Sequence, residues 1–163
     1  MKKIIIKIAV LLAALILQFT LVQQLRIFGF SANLCVLAII GISFFSSPGE
    51  AAVYGGLTGI LMDGAAARGF GVGALLCMYL AVGVKLLASE RINNSPALMA
   101  GYVWLFTLLY YLAYGLLSLA VPRGDIGVGR WLLTALVTAV INSVLSLPLL
   151  WVADHLKRGG AKT

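Results

Sequence analysis

Charge is what this sequence has least of. Only 10% of its 163 residues are Asp, Glu, Lys or Arg, against about 25% in an ordinary soluble domain. Acidic residues number five and histidine one, His155. A lone histidine near the end of the chain cannot anchor a Ser-His-Asp set. The two cysteines, Cys35 and Cys77, lie in separate apolar runs with no neighbouring His or Cys. That spacing excludes a zinc site and a disulfide framework, and marks both thiols as small buried hydrophobes. No glycine-rich phosphate loop with its lysine is present. No apolar run has a charge near its middle, where ion-coupled transporters and voltage sensors need one. Enzyme, metal protein, cofactor carrier and ion-coupled pump are therefore poor readings.

What is there is apolar: 62% of the residues are hydrophobic. A soluble chain this small would bury only about 60–70% of its surface. The composition predicts an all-α, polytopic integral membrane protein. A bilayer core of about 30 Å needs about 20 helical residues, and six segments approach that length: 4–22, 28–45, 48–67, 70–88, 96–121 and 131–152. Together they make one transmembrane domain over 1–156, followed by a basic tail, 157–163. The first run resembles a signal peptide but has no small-x-small cleavage site, so it reads as an uncleaved helix. Lys7 in its opening turn can snorkel. The second has polar Ser31 and Asn33 near its start, so its helical part can be shorter. The third is too short if only apolar residues count. Ser47 at the N-cap, Pro48 at the first helical position and Glu50 at the third extend it to full length. Ser95-Pro96 restarts the chain by the same logic, and Pro122 stops it.

The excess of Lys plus Arg, 12 against 5, gives +7. In a soluble domain that would suggest nucleic acid. Here the basic residues flank apolar runs, which points instead to anionic membrane lipid. With six spans, eight of them (Lys2, Lys3, Lys7, Lys85, Arg91, Lys157, Arg158, Lys162) share a side. The remaining four (Arg26, Arg68, Arg123, Arg130) lie opposite. Removing the third span makes the split six and six. The positive-inside rule thus selects six spans, with both termini in the cytoplasm.

Three patterns could carry contacts. Ala51, Gly55, Gly59 and Asp63 recur every four residues on the third helix. Gly69, Gly73, Cys77, Ala81 and Lys85 continue that style on the fourth. Such small-residue stripes either pack helices within the chain or dock a partner's helix; Gly55, Gly59, Asp63, Gly69 and Gly73 are the candidate docking residues. Asp63 is the sharpest of them, because a carboxylate in a span, at a helix C-terminus, needs a partner. Arg68, Arg26, Arg123 and Arg130 share its side; a cap on an adjoining loop or a contact to another molecule are the alternatives. The sixth helix carries Arg130, Thr134, Thr138, Asn142 and Ser146 at four-residue spacing, with Ser143 adjacent. This polar stripe is either helix-packing glue or the wall of a cavity. The fifth has Trp104, Tyr110, Tyr111 and Tyr114, either an interfacial belt or a surface for a flat ligand. Trp131 and Trp151, at the ends of the sixth, fit a belt.

Read in order, the stretch from Asn33 to Arg91 resembles the rod-shape-determining MreD family. Asn33-Leu34 is similar to the family's Pro-Asp/Asn-Leu helix start, with Ala32 in place of the proline. Ser47-Pro48-Gly49-Glu50-Ala51 looks like its Gly-Pro-x-Glu-Gly turn. Gly55-Gly56-Leu57-Thr58-Gly59-Ile60-Leu61-Met62-Asp63 resembles its glycine-rich helix ending in Asp. Gly69-Phe70-Gly71-Val72-Gly73-Ala74-Leu75 resembles the turn and helix that follow. About a third of the chain is covered closely. The resemblance implies a non-enzymatic scaffold subunit of the bacterial elongation complex in the cytoplasmic membrane. Such a subunit binds MreC, a single-span protein, and is linked through it to the MreB filament and the synthases of lateral peptidoglycan. It leaves a homodimer open. The implied fold is similar to the six-helix substrate-binding subunits of energy-coupling-factor vitamin transporters. These form the alternative reading, with Ala9 and Ala13 as their docking residues.

Overall fold

The computed structural model describes residues 2–22, 29–65, 71–88, 96–119 and 127–159. Among these residues there are six α-helices and no strand. In order they are α1 (Lys2–Leu17), α2 (Leu34–Phe44), α3 (Pro48–Ala65), α4 (Val72–Ala88), α5 (Pro96–Leu119) and α6 (Val128–Gly159). A π-helical turn, Gln18–Val22, continues α1.

The shortest helix is the hub. α2 has 11 residues, and Cys35, Val36, Leu37, Ile39, Ile40, Ile42 and Ser43 are buried around its circumference. A helix apolar on every side belongs in the middle of a bundle. The other five helices all touch it. α3 pairs with α4 and α5 with α6, while α4 and α5 join the two pairs. Leu11 of α1, Tyr54 of α3, Leu80 and Val84 of α4, and Val103 and Phe106 of α5 complete the core around α2.

Polarity runs inside out. Asn33, Thr58, Asp63, Thr107, Thr138, Asn142 and Ser146 are buried, while Ile5, Ile16, Leu57, Leu75, Leu86, Leu116 and Val144 are exposed. Water would penalise that arrangement. Hydrocarbon favours it, because inward polar groups can then bond to one another. Two helices, Ala97–Leu117 and Val128–Pro148, are long and apolar enough to cross a membrane.

α2 and α6 differ most from the sequence-based boundaries. α2 begins at Leu34 rather than 28, because side chains rather than helix bonds satisfy the backbone just before it. Residues 23–28 lie outside the described residues. α6 starts at Val128 rather than 131, with the Trp131 N–H bonded to the Gly127 carbonyl at 3.1 Å. It ends at Gly159 rather than 152. Ala153, Leu156, Lys157 and Arg158 are good helix formers, and Lys157 and Arg158 suit a helix C-terminus. Hydropathy ends where the apolar residues end; the helix does not. The expected tail, 157–163, is thus helical in its first residues. The stop at Pro122 and the restart at Ser95 fall outside the described residues.

Candidate functional site

The small residues of α3 face α4. Ala51, Gly55, Thr58, Gly59 and Asp63 are buried on one side of α3. A methyl added at Gly55 would overlap the Cys77 carbonyl and Ala81, and one at Gly59 would overlap the backbone of Gly73 and Ala74. Only glycine allows that approach. A methyl added at Gly56 or Gly64, off this face, would meet nothing within 4 Å. Of the candidate docking residues, Gly55, Gly59, Asp63 and Gly73 are thus placed together in a contact within the chain, and the face is filled. Gly69 lies outside the described residues.

Asp63 ends this stripe and begins α4. Its Oδ2 accepts the N–H groups of Gly71 at 3.0 Å, Gly73 at 3.0 Å and Ala74 at 3.3 Å. The first amides of any helix lack intrahelical partners and present partial positive charge. The carboxylate of one helix therefore caps the next. Gly71 holds a φ of +104° at the turn, and a methyl at Gly73 would strike the Asp63 carboxylate. Arg26, Arg68 and Arg123 lie outside the described residues, and Arg130 is exposed on the first turn of α6.

α3 itself starts with reciprocal caps. The Glu50 N–H donates to Ser47 Oγ at 3.3 Å, and the Ser47 N–H to Glu50 Oε2 at 3.4 Å. Pro48 takes the first helical position. Glu50 has a further partner that spacing did not reveal. Lys7 Nζ donates to Glu50 Oε2 at 2.9 Å and to Ser46 Oγ at 2.8 Å. The ammonium also lies 5.5 Å from the Tyr54 ring centroid. Lys7 thus ties α1 to the start of α3.

From Thr138 to Ser146 the polar stripe of α6 points inward, while Thr134 is half-buried and Arg130 exposed. Asn142, fully buried, grips Asn33 by its backbone: Oδ1 accepts the Asn33 N–H at 2.9 Å and Nδ2 donates to the Asn33 carbonyl at 3.1 Å. Nδ2 also lies 3.4 Å from Thr107 Oγ1. Thr138 donates to the Ser31 carbonyl at 3.3 Å. Ser146 and Thr134 bond to their own helix, at the carbonyls of Ser143 and Arg130, and Ser143 reaches the Ala100 carbonyl of α5 at 3.0 Å.

From the other side Gln18 makes the same kind of grip. Its Nε2 donates to the Ala32 carbonyl at 3.2 Å and its Oε1 accepts the Leu34 N–H at 2.7 Å. Sequence reasoning passed over Gln18; a lone amide inside an apolar run was the available signal. Asn33 also caps α2, with Oδ1 accepting the Val36 N–H at 3.1 Å while Nδ2 donates to Tyr111 Oη at 3.1 Å.

Three aromatics of α5, Tyr110, Tyr111 and Tyr114, contact one another, and Tyr110 also joins the core around α2. Tyr110 is buried, 5.4 Å edge-on from Tyr111 and 6.2 Å from Tyr114, centroid to centroid. Trp131 packs on α5. It is half-buried over Gly115 and donates its Nε1–H to the Tyr111 carbonyl at 2.8 Å. Cys35 and Cys77 are both fully buried free thiols. No protein-family model matches the chain, and neither a curated protein nor a solved structure is significantly similar to it.

Proposed function

We propose that this chain is a six-span, non-enzymatic scaffold of the bacterial cytoplasmic membrane that holds a single-span, MreC-like partner near the cell-wall synthases. One observation carries the reading. The motifs that resemble the MreD family are the starting devices of three consecutive, mutually packed helices. Asn33 caps α2, Ser47 and Glu50 cap α3, and Asp63 caps α4. The inside-out polarity supports residence in lipid. The short α2 fits a span as well. Its 11 residues cover about 16 Å, and the non-helical residues before it advance up to about 3.3 Å each.

Because α4 fills the glycine face of α3, docking falls to an outward face. Ala9 and Ala13, both exposed and one turn apart on α1, offer a small-residue surface to an apolar helix. The same two residues favour the alternative, a substrate-binding subunit of a vitamin transporter. Purification from native membrane, with identification of what stays attached, separates the two. An MreC-like protein supports the scaffold. A bound vitamin together with transporter ATPases overturns it.

A further inference from the structure

The residues ahead of α2 are non-helical, yet the carbonyls of Ser31, Ala32 and Asn33 and the amides of Asn33 and Leu34 are all bonded. On one edge Gln18, at the first position of the π-helical turn, holds Ala32 and Leu34; on the other Asn142 holds Asn33 and Thr138 holds Ser31. Two amide side chains thus stand where neighbouring strands would stand in a sheet. Gly29, with a φ of +85° and open space around it, begins the segment. Gly29 can swivel, whereas the bonds along the segment are polar, separable and made to three different helices, the third being α5, where Tyr111 Oη accepts from Asn33 Nδ2. Immediately behind them Cys35 sits at 0% exposure.

We propose that residues 29–33 form a strap that opens as a unit about Gly29. Opening breaks the Gln18 and Asn142 grips and the Asn33–Tyr111 bond together, frees the head of α2 from α1, α5 and α6, and uncovers Cys35 while the rest of the bundle stays closed. Because the strap is shared by α1 and α6, a ligand or helix that favours one grip biases the other. This inference concerns the bundle itself and holds for a scaffold or a transporter subunit alike.

The native thiol reports the motion. In purified protein carrying Cys77→Ser, alkylation of Cys35 by N-ethylmaleimide is timed. Asn142→Ala removes two bonds to the strap, and Gln18→Ala removes one to the strap and one to Leu34 just after it. Each is expected to raise the rate about tenfold, the factor matching two average interhelical bonds. Gly29→Ala strains the closed turn without a clash and should raise it too. Ser143→Ala, whose bond goes to α5, should not. Cys77, timed in a Cys35→Ser background, should stay slow in all of them. Equal Cys35 rates across wild type, Gln18→Ala and Gly29→Ala would overturn the strap. So would parallel acceleration of Cys77, which reports general loosening. If Asn142→Ala does not fold, the Gln18 and Gly29 variants still decide.

Discussion

At Gly55 and Gly59 the distance between two helices is set by the absence of a side chain. Adding a methyl at either forces α3 away from the α4 backbone. Gly55→Ala and Gly59→Ala are therefore expected to lower the thermal midpoint of the purified protein. Gly56→Ala, in the same helix but facing open space, should leave it unchanged or raise it, since alanine is favoured over glycine by up to about 1 kcal/mol in a helix. Asp63→Ala leaves three amides of the α4 start without their acceptor. An unmade bond to a buried donor costs about 1–3 kcal/mol, so a clear fall in midpoint and in abundance is expected. Asp63→Asn keeps an acceptor oxygen and should fall less. If Asp63→Ala instead matches wild type in both measures, its capping role is not a stabilising one.

Each helix of the central unit begins with its own device, and each device reaches beyond its helix. The Ser47–Glu50 box caps α3, and through Glu50 it also meets Lys7 of α1. Ser47→Ala removes one cap and should cost about 1 kcal/mol, read as a modest drop in midpoint. Lys7→Ala, by contrast, leaves α3 capped and loosens α1. Protease or hydrogen-exchange protection should then fall in α1 more than in α3. At the other side of the bundle Trp131 is seated over Gly115. Gly115→Leu should expel the indole and shift its fluorescence, with little change in α3 or α4 exchange.

For the whole molecule, burial of polar groups and exposure of apolar ones set the surroundings in which the fold makes sense. A C-terminal reporter active in the cytoplasm is the outcome expected of six spans; activity only outside the cytoplasm would reverse the topology. Partner capture belongs to the same scale. Ala9→Leu combined with Ala13→Leu crowds the open face of α1 without touching the core. That double variant should keep its midpoint and lose at least half of the captured MreC-like protein. Full capture would place the docking surface elsewhere.

Much of the fold was legible along the chain. The apolar runs near 34–44, 72–88 and 97–117 and the Ser47-Pro48-Gly49-Glu50 start are local properties, readable from hydropathy and from the chemistry of helix ends. The glycine stripe was legible as a close-packing face, but its occupant was not. That depends on α4 folding back, which no spacing within α3 specifies. Asp63 was recognisable as a carboxylate in need of a partner. Arg68, the arginine nearest in sequence, lies outside the described residues. Of the readings weighed, it is the cap that the structure shows, with three backbone amides across the next turn on the carboxylate, because a helix start concentrates unpaired donors wherever the turn delivers it. Asn142 and Gln18 lie 109 and 14 residues from the backbone they bind. Such pairings exist only once α1, α2 and α6 are side by side. The amino-acid order by itself determined which segments are helical and which residues could cap them. The tertiary structure alone decided what each cap holds, since hydrogen bonds across helices depend on proximity that local propensity does not encode.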